Sequence, residues 1–313
     1  MAPFTEPDGD DDDAYGDKTR TVVPREHLLP LSVSINRKLT TLCPHMDDWL
    51  RGGVPTRSVT EFVGEAGAGK TQLVLQLLLS AQLPESEGGL DGSAVYVHTE
   101  GRAPVGRLKQ IADCHPALLS FQKSQKKEKH DFLKNVILVQ TLDDPGGLWT
   151  ALASVAQILE QSNSPEPANP KGSDTANPGA GETPNPKRKP VRVLVVDSVS
   201  SPFREGDASK KKGAVERSHA LSRIAALLRE YAHRHEICVV VTNHVVDQVD
   251  DSRRNDANPK VNHRNVFGPP GVLTTSGRNV TPALGLFWAN CVNSRIFLKR
   301  TGGSASGFGG NDK

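Results

Sequence analysis

Residues 64–71 read GEAGAGKT, and their types and spacing point to one chemistry. Gly64, Gly67 and Gly69 free the backbone to turn its N–H groups toward a common centre; Lys70 brings a full positive charge and Thr71 a hydroxyl suited to a hard cation. The pattern G-x-x-x-x-G-K-[ST] cradles phosphate when a strand precedes it and a helix follows, because the helix N-terminus adds its own positive field. Both flanks are present, SVTEFVG before and KTQLVLQLLLSAQL after. The candidate nucleotide contacts are therefore Gly64, Glu65, Ala66, Gly67, Ala68, Gly69, Lys70, Thr71 and Gln72, with Lys70 reaching β- and γ-phosphates and Thr71 ligating Mg²⁺.

Two carboxylates stand where such a site needs them. Asp197 ends the apolar run VRVLVVD, the place for a partner of the metal, and Glu100 ends SAVYVHTE, where it could orient or deprotonate an attacking water. After the next apolar run, Asn243 and His244 in TNH are either polar groups near the γ-phosphate or simply turn formers. The glycine loop serves metabolite kinases, helicases, switches and filaments alike, so it does not choose a function.

The elements that must position these residues alternate. Strands are expected at SVTEFVG, SAVYVHTE, NVILVQ, VRVLVVDS, EICVVVTN and SRIFLKR. Helices are expected after the glycine loop and across VGRLKQIADC, PGGLWTALASVAQILE and residues 215–235. Runs such as VLVVD lack polar alternation, as parallel strands covered on both faces do. In the 215–235 helix Leu221, Ile224, Ala225, Leu228 and Ala232 form one apolar stripe, and His233, Arg234 and His235 fall at the C-terminus, where cations are favoured over a metal-binding role. The fold class is α/β, a mainly parallel central sheet flanked by helices.

At 313 residues the chain allows one large or two ordinary domains, but three segments lack the composition to pack. Residues 1–30 are acidic and proline-punctuated, a disordered tail ending near the apolar patch HLLPLSVSI. Residues 161–190 are rich in Pro, Asn, Gly and Ser and read as a surface insertion; 301–313 form a Gly-rich tail. One globular domain over 31–300 is expected. Four cysteines without C-x-x-C spacing fit buried thiols in a reducing compartment. The N-terminus lacks a secretory signal and no run approaches a membrane span, so a soluble nuclear or cytosolic protein with no membrane partner is expected.

A net charge of +2 announces no nucleic-acid binder, so that question rests on local clusters. One holds Arg204, Lys210, Lys211, Lys212 and Arg217; the other holds Arg253, Arg254, Lys260, Arg264 and Arg278, with Phe267 as a stacking ring and Asp247, Asp250 and Asp251 diluting the charge. Composition leaves two readings, a DNA surface or an ordinary solvated face.

The order of glycine loop, YVHTEG, VVDS, basic loop, long helix, VVVTN and a long glycine-containing loop resembles the ATPase core of the RecA-like recombinases from about Leu39 to Arg300. Within them GGLDGSAVYVHTE, VDSVSSPFRE, TNHVVDQV and TPALGLFWANCVNSRIFL resemble the eukaryotic recombinase paralogues. The resemblance implies a nuclear ATPase of homologous-recombination repair, using ATP and Mg²⁺, that works with another recombinase paralogue and supports the recombinase filament on single-stranded DNA. It implies that Glu100 is the catalytic glutamate, acting with Lys70 and with His244 at the γ-phosphate sensor position. The stretch after Asp197 and residues 245–282 would be the two DNA-binding loops.

Three features depart from the family pattern. His244 stands where recombinases carry Gln, which implies an altered sensor and slow hydrolysis. An acidic tail replaces the helical N-terminal domain, and Phe4 in FTEP does not complete the Phe-x-x-Ala tether. The sequence ends in TGGSASGFGGNDK where relatives continue with further strands, so either a partner completes that face, or the product is truncated or the gene model mistaken. Two rivals stand beside a DNA-dependent ATPase: a scaffold in which bound ATP is structural glue, and a P-loop protein of another class such as a helicase.

Overall fold

A computed structural model describes residues 37–124, 130–163, 189–204, 211–247 and 273–300, all within the unit Asn36–Lys313. The acidic tail, most of the 161–190 insertion, Phe267 and the Gly-rich tail lie outside the described residues. In chain order the elements are β1 (Lys38–Leu39), α1 (Pro44–Trp49), β2 (Val54–Pro55), β3 (Ser58–Gly64), α2 (Lys70–Ser80), β4 (Ser93–His98), α3 (Val105–Cys114), α4 (Pro116–Ser124), β5 (Val136–Gln140), α5 (Pro145–Asn163), β6 (Val191–Asp197), α6 (Lys211–Arg234), β7 (Cys238–Asn243), β8 (Val245–Asp247), β9 (Leu273–Thr275), β10 (Arg278–Pro282), α7 (Gly285–Ala289) and β11 (Ser294–Leu298).

Six strands form one parallel sheet in the order β11-β3-β7-β6-β4-β5. Its four inner strands, β3, β7, β6 and β4, are buried on both faces, whereas the edge strands β11 and β5 are only partly covered; full burial is why runs such as VLVVD show no polar alternation. In β7 Cys238 and Val240 join the layer under α2, α3 and α4, whereas Val239 and Val241 join the layer under α5 and α6. The same alternation divides Val193 and Val195 from Leu194 and Val196 in β6. In α6 the whole expected stripe, from Leu221 to Ala232, is buried.

All six expected strands are present, the last ending at Leu298 rather than Arg300. Helix α6 starts at Lys211, four residues earlier than periodicity placed it, because polar residues in its first turn carry no apolar signal. Sequence reading did not supply α1, α4, α7, the short β1–β2 pair or the separate antiparallel sheet β8-β10-β9. Among the described residues no helix is long and apolar enough to cross a membrane.

Of the four cysteines the structure buries only Cys238 fully, while Cys43 and Cys114 are exposed. Burial pushes the Cys238 thiol up to about 12, and the thiolate is the reactive form. In the native protein, iodoacetamide is expected to modify Cys43 and Cys114 within the time that Cys238 stays untouched. Mass mapping before and after denaturation checks this; early labelling of Cys238 would contradict the burial of β7.

Candidate nucleotide site

A parallel α/β sheet presents its site at the carboxyl ends of its strands, where the connections to the helices diverge. Here β3 leads into the glycine loop, β4 into Glu100, β6 ends at Asp197 and β7 is followed by His244. These four strand ends surround a cavity of about 490 Å³ lined by Gly67, Lys70, Thr71, Glu100, Asp197 and His244, together with Arg102 and neighbouring residues.

The loop is shaped for phosphate. Gly69 caps α2 at φ 97° and Gly67 sits at φ 75°, conformations that side chains rarely adopt. At Gly64 an added Cβ would lie 2.5 Å from the Leu298 carbonyl oxygen, so β11 packs against the loop as only glycine permits. The buried Lys70 ammonium donates to the carbonyls of Gly64 (2.8 Å) and Glu65 (2.9 Å), which fixes it beneath the loop and uses two of its three N–H bonds. Burial lowers its pKa, and Asp197 and Glu100 oppose that shift.

The Thr71 hydroxyl donates to Asp197 Oδ2 over 2.9 Å, so the two expected metal ligands meet across 126 residues of chain. A hydroxyl beside a carboxylate is an oxygen donor set that suits Mg²⁺, and the glycine cradle with its cation suits a triphosphate; the residues present fit Mg-ATP. The Tyr96 hydroxyl also donates to Asp197 Oδ2 (2.9 Å), and that of Thr242 to Oδ1. Burial first, then Asp197, raises the Tyr96 phenol far above its ordinary value and keeps it a donor. Sequence reading missed both bracing residues. Tyr96 sits one alternation before His98 in β4, and Thr242 lies directly before Asn243, so strand register was the available signal.

Glu100 Oε1 accepts from Arg204 Nη2 (2.8 Å), His244 Nε2 (3.0 Å) and Ser198 Oγ (3.2 Å). Burial raises its pKa, but His244, Arg204 and Ser198 together bring it below the ordinary range. Burial, then the Lys70 and Arg204 charges, push His244 below its own ordinary value. Facing a carboxylate, His244 donates through Nε2, and Arg204 brings a full charge to the same oxygen.

Two of the candidate contacts, Glu65 in the loop and Gln72 in the first turn of α2, have side chains bonded to other protein groups. The Glu65 carboxylate accepts from Ser276 Oγ (2.8 Å), Thr275 Oγ1 (3.1 Å) and Arg278 Nη2 (2.9 Å), and these bonds, Ser276 foremost, hold it below the usual range despite burial. Glu65 thus offers its backbone to the cradle and its side chain to the β9–β10 hairpin. Gln72 accepts from Arg107 Nε (2.7 Å) at the mouth of the cavity.

The basic candidates are dispersed. Arg204 pairs with Glu100; Arg217 donates to the Ala283 carbonyl (3.1 Å) and lies over the Phe203 ring; Arg278 bridges Glu65 and Asp247. Lys211 and Lys212 begin α6, and Lys210, Arg253, Arg254, Lys260 and Arg264 lie outside the described residues. No metal-binding group of three or more His, Cys, Asp or Glu occurs among the described residues, and His233 and Arg234 sit in the last turn of α6 as expected.

A parallel sheet covered by helices on both faces, with a glycine loop, a strand-ending aspartate and a glutamate after the adjoining strand, defines a RecA-like P-loop core. The chain matches the Rad51 family over residues 34–122 and 185–264, more than half of its 313 residues, and it belongs to that family. It is similar to the recombinase paralogues in particular. It is 36% identical over 282 residues to the DNA repair protein XRCC3 homolog of Arabidopsis thaliana, covering 89% of this chain and 81% of that protein. Against the DNA repair protein XRCC3 of Mus musculus the identity is 29% over 266 residues, covering 85% of this chain and 64% of the relative, just under two thirds of its length. The DNA repair protein RAD51 homolog 2 of Mus musculus is 30% identical over 294 residues, covering 91% and 70% respectively.

Proposed function

We propose that this chain is a nuclear, ATP-binding subunit of a homologous-recombination repair complex that acts on single-stranded DNA or recombination intermediates together with another recombinase paralogue and the recombinase filament. The observation that carries this reading is the convergence of Lys70, Thr71, Asp197 and Glu100 on one cavity at the strand ends, in a chain of the Rad51 family. In this reading Lys70 and the loop backbone bind the phosphates, Thr71 and Asp197 hold Mg²⁺, and Glu100 orients a water and takes its proton. Mg-ATP, when bound, would supply the γ-phosphoryl group that passes to this water, with ADP as the leaving group.

A second reading, in which ATP occupancy stabilises a subunit interface and turnover is negligible, is favoured by one arrangement. Glu100 Oε1 is already held by three donors, and His244 stands at the sensor position. Both readings require a paralogue partner. Copurification of the tagged chain from cell extract, with identification of what it retains, tests them together; recovery without any recombinase relative would count against both.

DNA contact is proposed for the two basic loops, through Lys210, Lys211, Lys212, Arg253 and Arg254 above all. Neutralising Lys210, Lys211 and Lys212 together is expected to weaken single-stranded DNA binding and to flatten its salt dependence, the slope falling by about 0.7 for each phosphate no longer engaged. The measurement belongs on the copurified complex, and an unchanged slope would assign the lysines to a solvated face.

A further inference from the structure

The smaller sheet, β8-β10-β9, meets the nucleotide site at two points. At one, β8 follows His244 directly, and the His244 carbonyl accepts from the Ala283 N–H (2.9 Å) just beyond β10. At the other, the β9–β10 turn delivers the Thr275 and Ser276 hydroxyls and the Arg278 guanidinium to the carboxylate of Glu65, the second residue of the glycine loop. The two sheets share no ladder among the described residues, so the seating of this turn against the loop depends on side chains.

The tie is built against a backbone preference. Ser276 and Gly277 alone separate β9 from β10, and both have positive φ, 47° and 76°. Such a turn favours Asn or Gly at its first central position, yet a serine stands there and its hydroxyl donates to Glu65 Oε2 over 2.8 Å. The Glu65 side chain is 7% exposed, and Arg278, which binds it through Nη2, is held from the other side by Asp247 at the end of β8. The Glu65 backbone gives the tie its consequence. Its carbonyl accepts from the Lys70 ammonium (2.9 Å) and from the Ala68 N–H (3.1 Å), so the placement of this one residue governs both the loop's curl and its cation.

We infer that Glu65 and Arg278 are positioning residues of the nucleotide site: their ion pair, with the Ser276 bond, seats the glycine loop and Lys70 for the phosphates, while the same small sheet holds the His244 backbone. The inference rests on the nucleotide-binding reading above and moves Arg278 from the basic surface to the ATP site.

The test titrates the full chain with a fluorescent ATP analogue and Mg²⁺, comparing wild type, Glu65→Gln, Arg278→Gln, the double variant and Ser276→Ala, with thermal melting of the nucleotide-free proteins alongside. Each single variant is expected to bind roughly three- to tenfold more weakly, within the range of couplings between residues in contact, and the double variant no more weakly than the worse single. A charge effect acting at a distance would instead tighten binding in Glu65→Gln, weaken it in Arg278→Gln and leave Ser276→Ala unchanged; that pattern overturns the proposal. Losses that add in the double variant, or lower melting temperatures with wild-type affinity, overturn it as well, because the residues then act separately or support only the fold. In each of these cases the wild type still binds, and the nucleotide site stands. A wild type that fails to bind Mg-ATP removes the underlying reading and this inference with it.

Discussion

Lys70→Ala is expected to weaken Mg-ATP binding by roughly ten- to a hundredfold, the loss that follows from removing a hydrogen bond from a charged group at 1.4 kcal/mol per tenfold. The ammonium is the full side-chain charge that the glycine loop carries to the phosphates, and its two bonds to the Gly64 and Glu65 carbonyls hold it in place beforehand. Titration with a fluorescent ATP analogue reads the effect, with circular dichroism confirming that the variant folds. Unchanged affinity in a folded variant would mean that nucleotide binds elsewhere.

Glu61→Ala should be the most damaging single change to the fold. Glu61 is fully buried in the middle of β3, and its carboxylate accepts from Asn243 Nδ2 (2.7 Å), Trp288 Nε1 (3.0 Å) and Arg295 Nε. It thereby ties together β3, β7, α7 and β11, the strands that carry the glycine loop and His244 among them. Removing it leaves the Arg295 charge without its partner in a largely buried position, a loss of about 3–5 kcal/mol. Urea unfolding followed by tryptophan fluorescence, to which Trp288 contributes, measures this. A change under about 1 kcal/mol would show that the network does not hold the sheet together.

Much of this architecture is written in local patterns. Apolar runs of five to seven residues gave the parallel strands, the stripe from Leu221 to Ala232 gave the buried face of α6, and the glycine spacing gave the loop, because each is a property of neighbouring residues. The pairing of Thr71 with Asp197 could be anticipated from the motif, since both ends carry their own signal. What could not be read is partnership across the chain. Nothing in the sequence around Arg278 says that its charge bridges Glu65 and Asp247, or that Arg217 is occupied by the Ala283 carbonyl. Charge runs report composition, whereas commitment of a cation depends on which loops the fold brings together. Glu61 illustrates the same point inside the core: a carboxylate within SVTEFVG has no local explanation, and its partners lie 182 to 234 residues away.

Nucleotide occupancy at this site is what should hold the chain to its paralogue, and two variants separate occupancy from turnover. Lys70→Ala empties the site, whereas Glu100→Gln keeps the cradle and the Thr71–Asp197 pair while removing the proton acceptor. The decisive measurement is retention of the copurifying paralogue by each variant in the presence of Mg-ATP, with repair in cells scored in parallel. Glu100→Gln is expected to retain the partner and support repair while Lys70→Ala loses both. Equal loss of repair in the two variants, with partner binding intact in both, would contradict a role for occupancy.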